Sequence, residues 1–238
     1  MSRMTQAVIM LLFGGAIVKA TLTDVYLRYV KEGLRPFLLL AGILLVAAAV
    51  MTIWYDLRPT RHAEPEDGHG HGHGHHEPRV GWLLLLPVLG LLLISPPALG
   101  SYAANQSGSV GPAAASDYPP LPDGDPVEVS LLDYASRAVF DSGRSLAGRT
   151  VRLTGFITAG ADGRPMLARM VLTCCAADGR PIKIGLAGAP IDAPADAWVE
   201  LVGVYTSQVG TDPVNRAPIA YLDVRSWQEV DQPKQPYA

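Results

Sequence analysis

The chain has 238 residues, a net charge of −3 and 17% charged residues, below the roughly 25% usual for a soluble domain. A balance this close to neutral lacks the basic bias of a nucleic-acid binder, and no helix-turn-helix or zinc-finger spacing is present. Apolar residues make up 49% and crowd into the first hundred positions, which predicts a membrane part followed by a water-soluble part.

Three apolar runs open the chain. A bilayer core about 30 Å thick needs about 20 apolar residues in a helix. The first run, MTQAVIMLLFGGAIVKATL, covers residues 4–22 and is broken only at Lys19. A cleaved signal peptide is the alternative reading. Val18-Lys19-Ala20 is a poor cleavage site, so a retained helix is expected. Lys19 reads as a snorkelling side chain, with a bundle-facing transport role as the minority reading. The second run, 36–55, carries no charge and ends on Trp54 and Tyr55, where an aromatic belt belongs. The third, about 80–99, starts near Trp82 and ends at Pro96-Pro97.

Between the second and third runs lies a loop, 56–79, that holds every histidine of the chain: His62, His69, His71, His73, His75 and His76. Imidazole is the commonest biological metal ligand. The His-Gly alternation lets several rings reach one ion without fixed geometry, while Glu64, Glu66, Asp67 and Glu77 add negative charge. The stretch is internal and irregular, unlike an appended tag. A neutral low-complexity spacer is the competing reading.

Basic residues fall evenly on the two sides of the spans, so the positive-inside rule does not orient the chain. Arg58 and Arg61 directly follow the second span, and residues 101–126 contain no Lys or Arg. These signs place the N-terminus and the His loop in the cytoplasm and the C-terminal part outside. The expected location is the bacterial inner (plasma) membrane, multi-pass.

Residues 101–126, rich in Ser, Ala, Gly and Pro, read as a flexible linker. A soluble domain, 127–238, follows. Residues 130–143 read as an amphipathic helix capped by Ser130. Strand-like runs then occupy 149–158, 165–175, 181–188, 197–206 and 219–230, separated by turn chemistry. Val151-x-Leu153-x-Gly155 is echoed by Val199-x-Leu201-x-Gly203, and glycine at the same place in both predicts a bulge or sharp bend. The fold class expected is α+β: three transmembrane helices, then a small, mainly-β, OB-like barrel with one flanking helix.

The chain's two cysteines, Cys174 and Cys175, are adjacent. In an extended strand neighbouring side chains point to opposite faces, and a bond between adjacent cysteines needs a strained ring. Three readings stay open: small packed residues, soft metal ligands with Met166, Met170 or Asp178 nearby, or a redox or partner-binding thiol pair. Two cysteines do not fill a tetrahedral site. A Ser/His/Asp set is excluded from the soluble domain, which has no histidine, and no phosphate-cradling glycine loop appears. The chain is therefore not expected to be an enzyme.

A membrane half with a His-bearing loop is followed by Leu99-Gly100-Ser101, V-x-L-x-G-F at Val151 to Phe156, Leu167-x-Arg169, T-C-C-A-A-D at Thr173 to Asp178, W-V-x-L-x-G at Trp198 to Gly203, and Pro236-Tyr237. This arrangement resembles a bacterial family of permease subunits. Its members are typically encoded beside a multi-span permease, some under zinc-responsive control. T-C-C-A-A-D is the most specific part. The resemblance implies a multi-span permease partner and metal homeostasis, and supplies no catalytic site. The function expected is an accessory subunit of an inner-membrane permease in transition-metal homeostasis or transport, with Zn(II) ahead of Cu(I). The six histidines and Cys174 and Cys175 are the metal-ligand candidates. Partners expected are the permease and the lipid bilayer, with a homo-oligomer compatible and nucleic acid excluded. The alternative is an envelope structural or assembly protein whose soluble domain binds another protein, the His loop being incidental.

Overall fold

The computed structural model describes residues 3–58, 90, 96–112, 114, 117–160 and 162–238. His62, His69, His71, His73, His75 and His76, and most of the third apolar run, lie outside the described residues. The chain divides into two compact units. One comprises Met1–Tyr26 and Glu32–Pro96; the other comprises Leu27–Lys31 and Pro97–Ala238.

In the first unit two helices pack against each other: α1 (Arg3–Leu22) and α2 (Arg35–Leu57). Both are long and apolar enough to cross a membrane. They meet through glycine. A Cβ on Gly14 would lie 2.9 Å from the Gly42 carbonyl oxygen, and one on Gly42 2.8 Å from Val18. Small residues at a crossing let backbones approach closely, as helix pairs in lipid require. Thr21 and Thr52 donate their hydroxyls back to Ile17 O (2.7 Å) and Ala48 O (2.8 Å), so neither polar group needs water. The outer face of α2 is apolar and open, with Phe37 65% and Leu44 59% exposed. Exposed apolar surface of this kind is compatible with lipid or with another helix.

The second unit is a closed barrel. After α3 (Ser101–Gln106) come β1 (Val127–Glu128), α4 (Leu131–Phe140), β2 (Thr150–Ala159), β3 (Pro165–Val171), β4 (Arg180–Gly188), β5 (Trp198–Thr211) and β6 (Pro218–Glu229). The sheet runs β1-β2-β3-β4-β6-β5, and β5 pairs back onto β2. Five strands thus close on themselves, with β4 and β6 parallel and the other barrel neighbours antiparallel. Alternation puts Leu153, Leu167, Ile184, Leu201 and Leu222 inside, all fully buried. Each such side chain contributes about 1.5–3 kcal/mol. The amphipathic α4 is started by the Ser130 hydroxyl, which accepts from Asp133 N at 3.1 Å, and adds Leu131 and Tyr134 to the same core. Tyr134 is fully buried and donates its hydroxyl to Tyr221 O at 2.6 Å.

The paired glycines have a shared cause. A Cβ on Gly155 would lie 2.5 Å from Ala168 O, and one on Gly203 2.5 Å from Asp223 O. In both, a neighbouring strand passes too close for a side chain. Gly203 also marks a register shift between β5 and β6.

Two expectations are corrected. The strand expected over 165–175 ends at Val171, so the cysteines lie in a loop and the opposite-faces argument does not apply to them. The stretch expected as a flexible linker is bound to the barrel instead. Ser101 N and Oγ donate to Asp196 at 2.6 and 2.8 Å, Asn105 Oδ1 accepts from Thr158, and Leu121 is buried. Most of the anchoring is polar. Buried Asp212, at the start of the β5–β6 turn, accepts from Ser109 N (3.1 Å), Ser109 Oγ (2.6 Å), Lys183 Nζ (3.0 Å) and Val214 N (2.8 Å). Lys183 also donates to Ser107 O at 3.2 Å.

Candidate functional site

The T-C-C-A-A-D segment turns the chain from β3 into β4. Three main-chain donors converge on one side chain. Thr173 N donates to Asp178 Oδ1 at 2.8 Å, while Cys174 N and Cys175 N donate to Oδ2 at 2.8 and 3.3 Å. Ala176–Asp178 then form a single 3-10 turn. Asp178 thereby bends residues 173–178 around its own carboxylate, as short acidic side chains do in turns.

The loop's other edge is held by a strand-like piece from far away in sequence. Val30 lies opposite Cys175 in an antiparallel bridge. Lys31 N donates to Cys174 O at 3.0 Å, and Ala176 N donates to Tyr29 O at 2.7 Å. Tyr237 ties the same connector down, donating its hydroxyl to Arg28 O at 2.6 Å and accepting from Leu99 N at 3.0 Å. All of these groups belong to the second unit.

The side chains are left pointing outward. Cys174 is exposed and Cys175 half-buried, and both are free thiols. Their sulfurs lie 3.6 Å apart. With an Asp178 carboxylate oxygen they form a set of three ligand atoms all within 4.8 Å of one another. The hydrogen bond from the Cys174 thiol, followed by the backbone donors, holds Asp178 down at about 2. Reciprocally, the bond to Asp178 and then the contact with Cys175 push the Cys174 thiol up to about 11. A thiol held protonated is a poor nucleophile at neutral pH, which weighs against redox chemistry at Cys174. A metal ion would have to displace the same proton, because thiolate ligands bind in the deprotonated form, so binding here would strengthen as pH rises.

Among the sequence candidates, the fold brings Cys174, Cys175 and Asp178 together. Met170 is buried beside Phe156 and Trp198, and Met166 lines a cleft with Gly160, Arg164 and Tyr221; neither belongs to the thiol cluster. Sequence reasoning missed the connector Tyr29–Lys31. Its signal was the run VYLRYV at 25–30, apolar and β-prone between two helices.

These features define a class: a pair of lipid-compatible helices attached to a closed five-stranded barrel that presents two free thiols and a carboxylate on one ordered loop. Residues 5–109 match the DUF1980 N-terminal domain and residues 136–238 the DUF1980 C-terminal domain. The chain therefore belongs to the DUF1980 family, a family of unknown function. No curated protein and no solved structure matches it.

Proposed function

We propose that this chain is a non-enzymatic accessory subunit of a membrane permease that handles a divalent transition metal. The observation that carries the reading is the convergence of Cys174, Cys175 and Asp178 on one exposed loop. Soft thiolates at an accessible position suit capture and release of a transition metal, not a buried structural site. Two further observations support it. The open apolar face of α2 asks for lipid or a partner helix. A few spans with almost no interior polar groups are a poor ion pathway alone, so transport needs a partner. The histidine loop, with His62, His69, His71, His73, His75 and His76, would gather ions on the opposite face.

The test is co-purification of the full chain from its native membrane, with metal tolerance of a deletion strain read in parallel. A co-purifying multi-span protein and a metal-dependent growth change are expected. A deletion that alters cell shape or envelope integrity, unmoved by added metal, overturns the reading in favour of an envelope assembly protein.

A further inference from the structure

We propose that Cys174, Cys175 and Asp178 form an open three-ligand site for one tetrahedral divalent ion of the zinc class, its fourth position left for a ligand from outside the loop. This deepens the metal-handling reading above and rests on it for its purpose.

The sulfur spacing lies nearer to one coordination geometry than to the other. With metal–sulfur bonds of about 2.3 Å, two thiolates on one tetrahedral ion lie about 3.8 Å apart, and on a linear two-coordinate ion about 4.6 Å apart. The observed separation is 3.6 Å, which is a tetrahedral edge and about 1 Å short of the linear arrangement of Cu(I). An oxygen and a sulfur on the same tetrahedral ion lie about 3.6 Å apart. The Asp178 oxygen lies within 4.8 Å of both sulfurs, so at most about 1 Å remains, within reach of a side-chain rotation.

The frame around the three ligands is already built. Asp178 receives three loop N–H groups, and the connector fixes Cys174 O and Ala176 N from the other side. Little main-chain freedom is left to lose on binding. The Cys174 thiol lies against the Cys175 sulfur at 3.6 Å, and a carboxylate oxygen of Asp178 completes the group of three donor atoms within 4.8 Å of one another. Binding exchanges protons for metal: one divalent ion plus two thiols and a carboxylate gives a complex of net charge −1 and two protons released to solvent. Three protein ligands leave one coordination position open, the arrangement that lets an ion be passed on.

The experiment uses the full chain in detergent with all six loop histidines changed to alanine, so that the barrel alone is read. Co(II) is the optical probe and Zn(II) the competitor. Expected are one Co(II) per chain, thiolate-to-metal charge transfer, visible bands of tetrahedral intensity, and displacement by one Zn(II). Either Cys174→Ser or Cys175→Ser is expected to weaken Zn(II) binding by roughly 100-fold or more, since loss of even outer partners costs 10–100-fold. Asp178→Glu retains binding and Asp178→Ala alters the visible bands; circular dichroism of each variant checks that the barrel stays folded. Absence of binding, binding indifferent to both cysteine changes, or preference for two-coordinate Cu(I) each overturns the proposal. Co-purification of a permease is scored on the chain with Cys174, Cys175 and Asp178 intact. No bound metal with the partner retained sinks this site and leaves the subunit reading standing, whereas bound metal without a partner does the reverse.

Discussion

Asp212→Asn is expected to destabilise the barrel more than any other conservative change at a polar position. Asp212 is fully buried, and Lys183, its ion-pair partner at 3.0 Å, has a side chain only 6% exposed. Removing one member of a buried pair leaves an uncompensated charge and costs about 3–5 kcal/mol. Ser109 loses a charged acceptor as well. With a urea slope of about 2 kcal/mol per molar for a domain of this size, the midpoint drops by roughly 2 M. The assay is urea unfolding of the full chain in detergent, followed by tryptophan fluorescence, to which the nearly buried Trp198 contributes. Adding Lys183→Met to Asp212→Asn removes the stranded ammonium and is expected to restore more than half the loss. The pH dependence follows from the same network. Burial pushes the Asp212 carboxyl up, but donors from Ser109, Val214 and Lys183 outweigh it and hold it at about 2, against an ordinary 3.8. A depressed folded-state pKa stabilises above the unfolded value and is lost as pH falls through the folded one. Wild type should therefore lose about 2 kcal/mol of stability between pH 5 and pH 2 from this group, a component missing in Asp212→Asn. A single variant within about 0.5 kcal/mol of wild type would refute the claim that this pair clamps residues 107–110 to the barrel.

Gly155→Ala drives a methyl to 2.5 Å from Ala168 O; strand β3 cannot easily yield, and a loss of about 1–3 kcal/mol is expected in the same unfolding assay. Tyr134→Phe removes the 2.6 Å bond to Tyr221 O and should cost about 1–3 kcal/mol, the penalty for an orphaned buried acceptor; a change under half that would mean water replaces the hydroxyl. Cys174, measured in a Cys175→Ser background, should alkylate slowly at pH 8, with a rate that keeps rising towards pH 11 because Asp178 holds the thiol protonated. Asp178→Asn removes that charge and should speed alkylation at pH 8 by about tenfold or more. An unchanged rate would show that Asp178 does not control the thiol.

Much of the barrel was legible because its code is local. Alternation in 149–158 and 197–206 fixed which residues face inward, and the observed strands β2 and β5 start one residue later. Helix α4 declared itself through Ser130 and its apolar stripe. What was not legible is long-range. Nothing in Asp212 announces that it will accept two hydrogen bonds from Ser109, 103 positions earlier, so residues 101–126 read as a linker from composition alone. The thiol pair shows the same limit. Extending a strand through Cys175 was reasonable from the β-prone run before it. The strand stops because Asp178 gathers the N–H groups of residues 173–175 that a ladder would otherwise use.

The connector between α1 and α2 bears on how the chain threads a membrane. Leu27–Lys31 and Pro97–Ala238 are parts of one compact unit, held by Val30 against Cys175 and by Tyr237 against Arg28. Two parts of one water-facing unit lie on one face of a bilayer. Under the membrane reading proposed here, the chain between residues 31 and 97 must then cross an even number of times. Helix α2 is long and apolar enough to be one crossing. The second falls to the apolar run at 80–99, which has the required length of about 20 residues. The membrane reading proposed above therefore carries the expectation that the N-terminus and the histidine loop lie on the face opposite the thiols, an expectation that the evenly divided arginines and lysines could not supply.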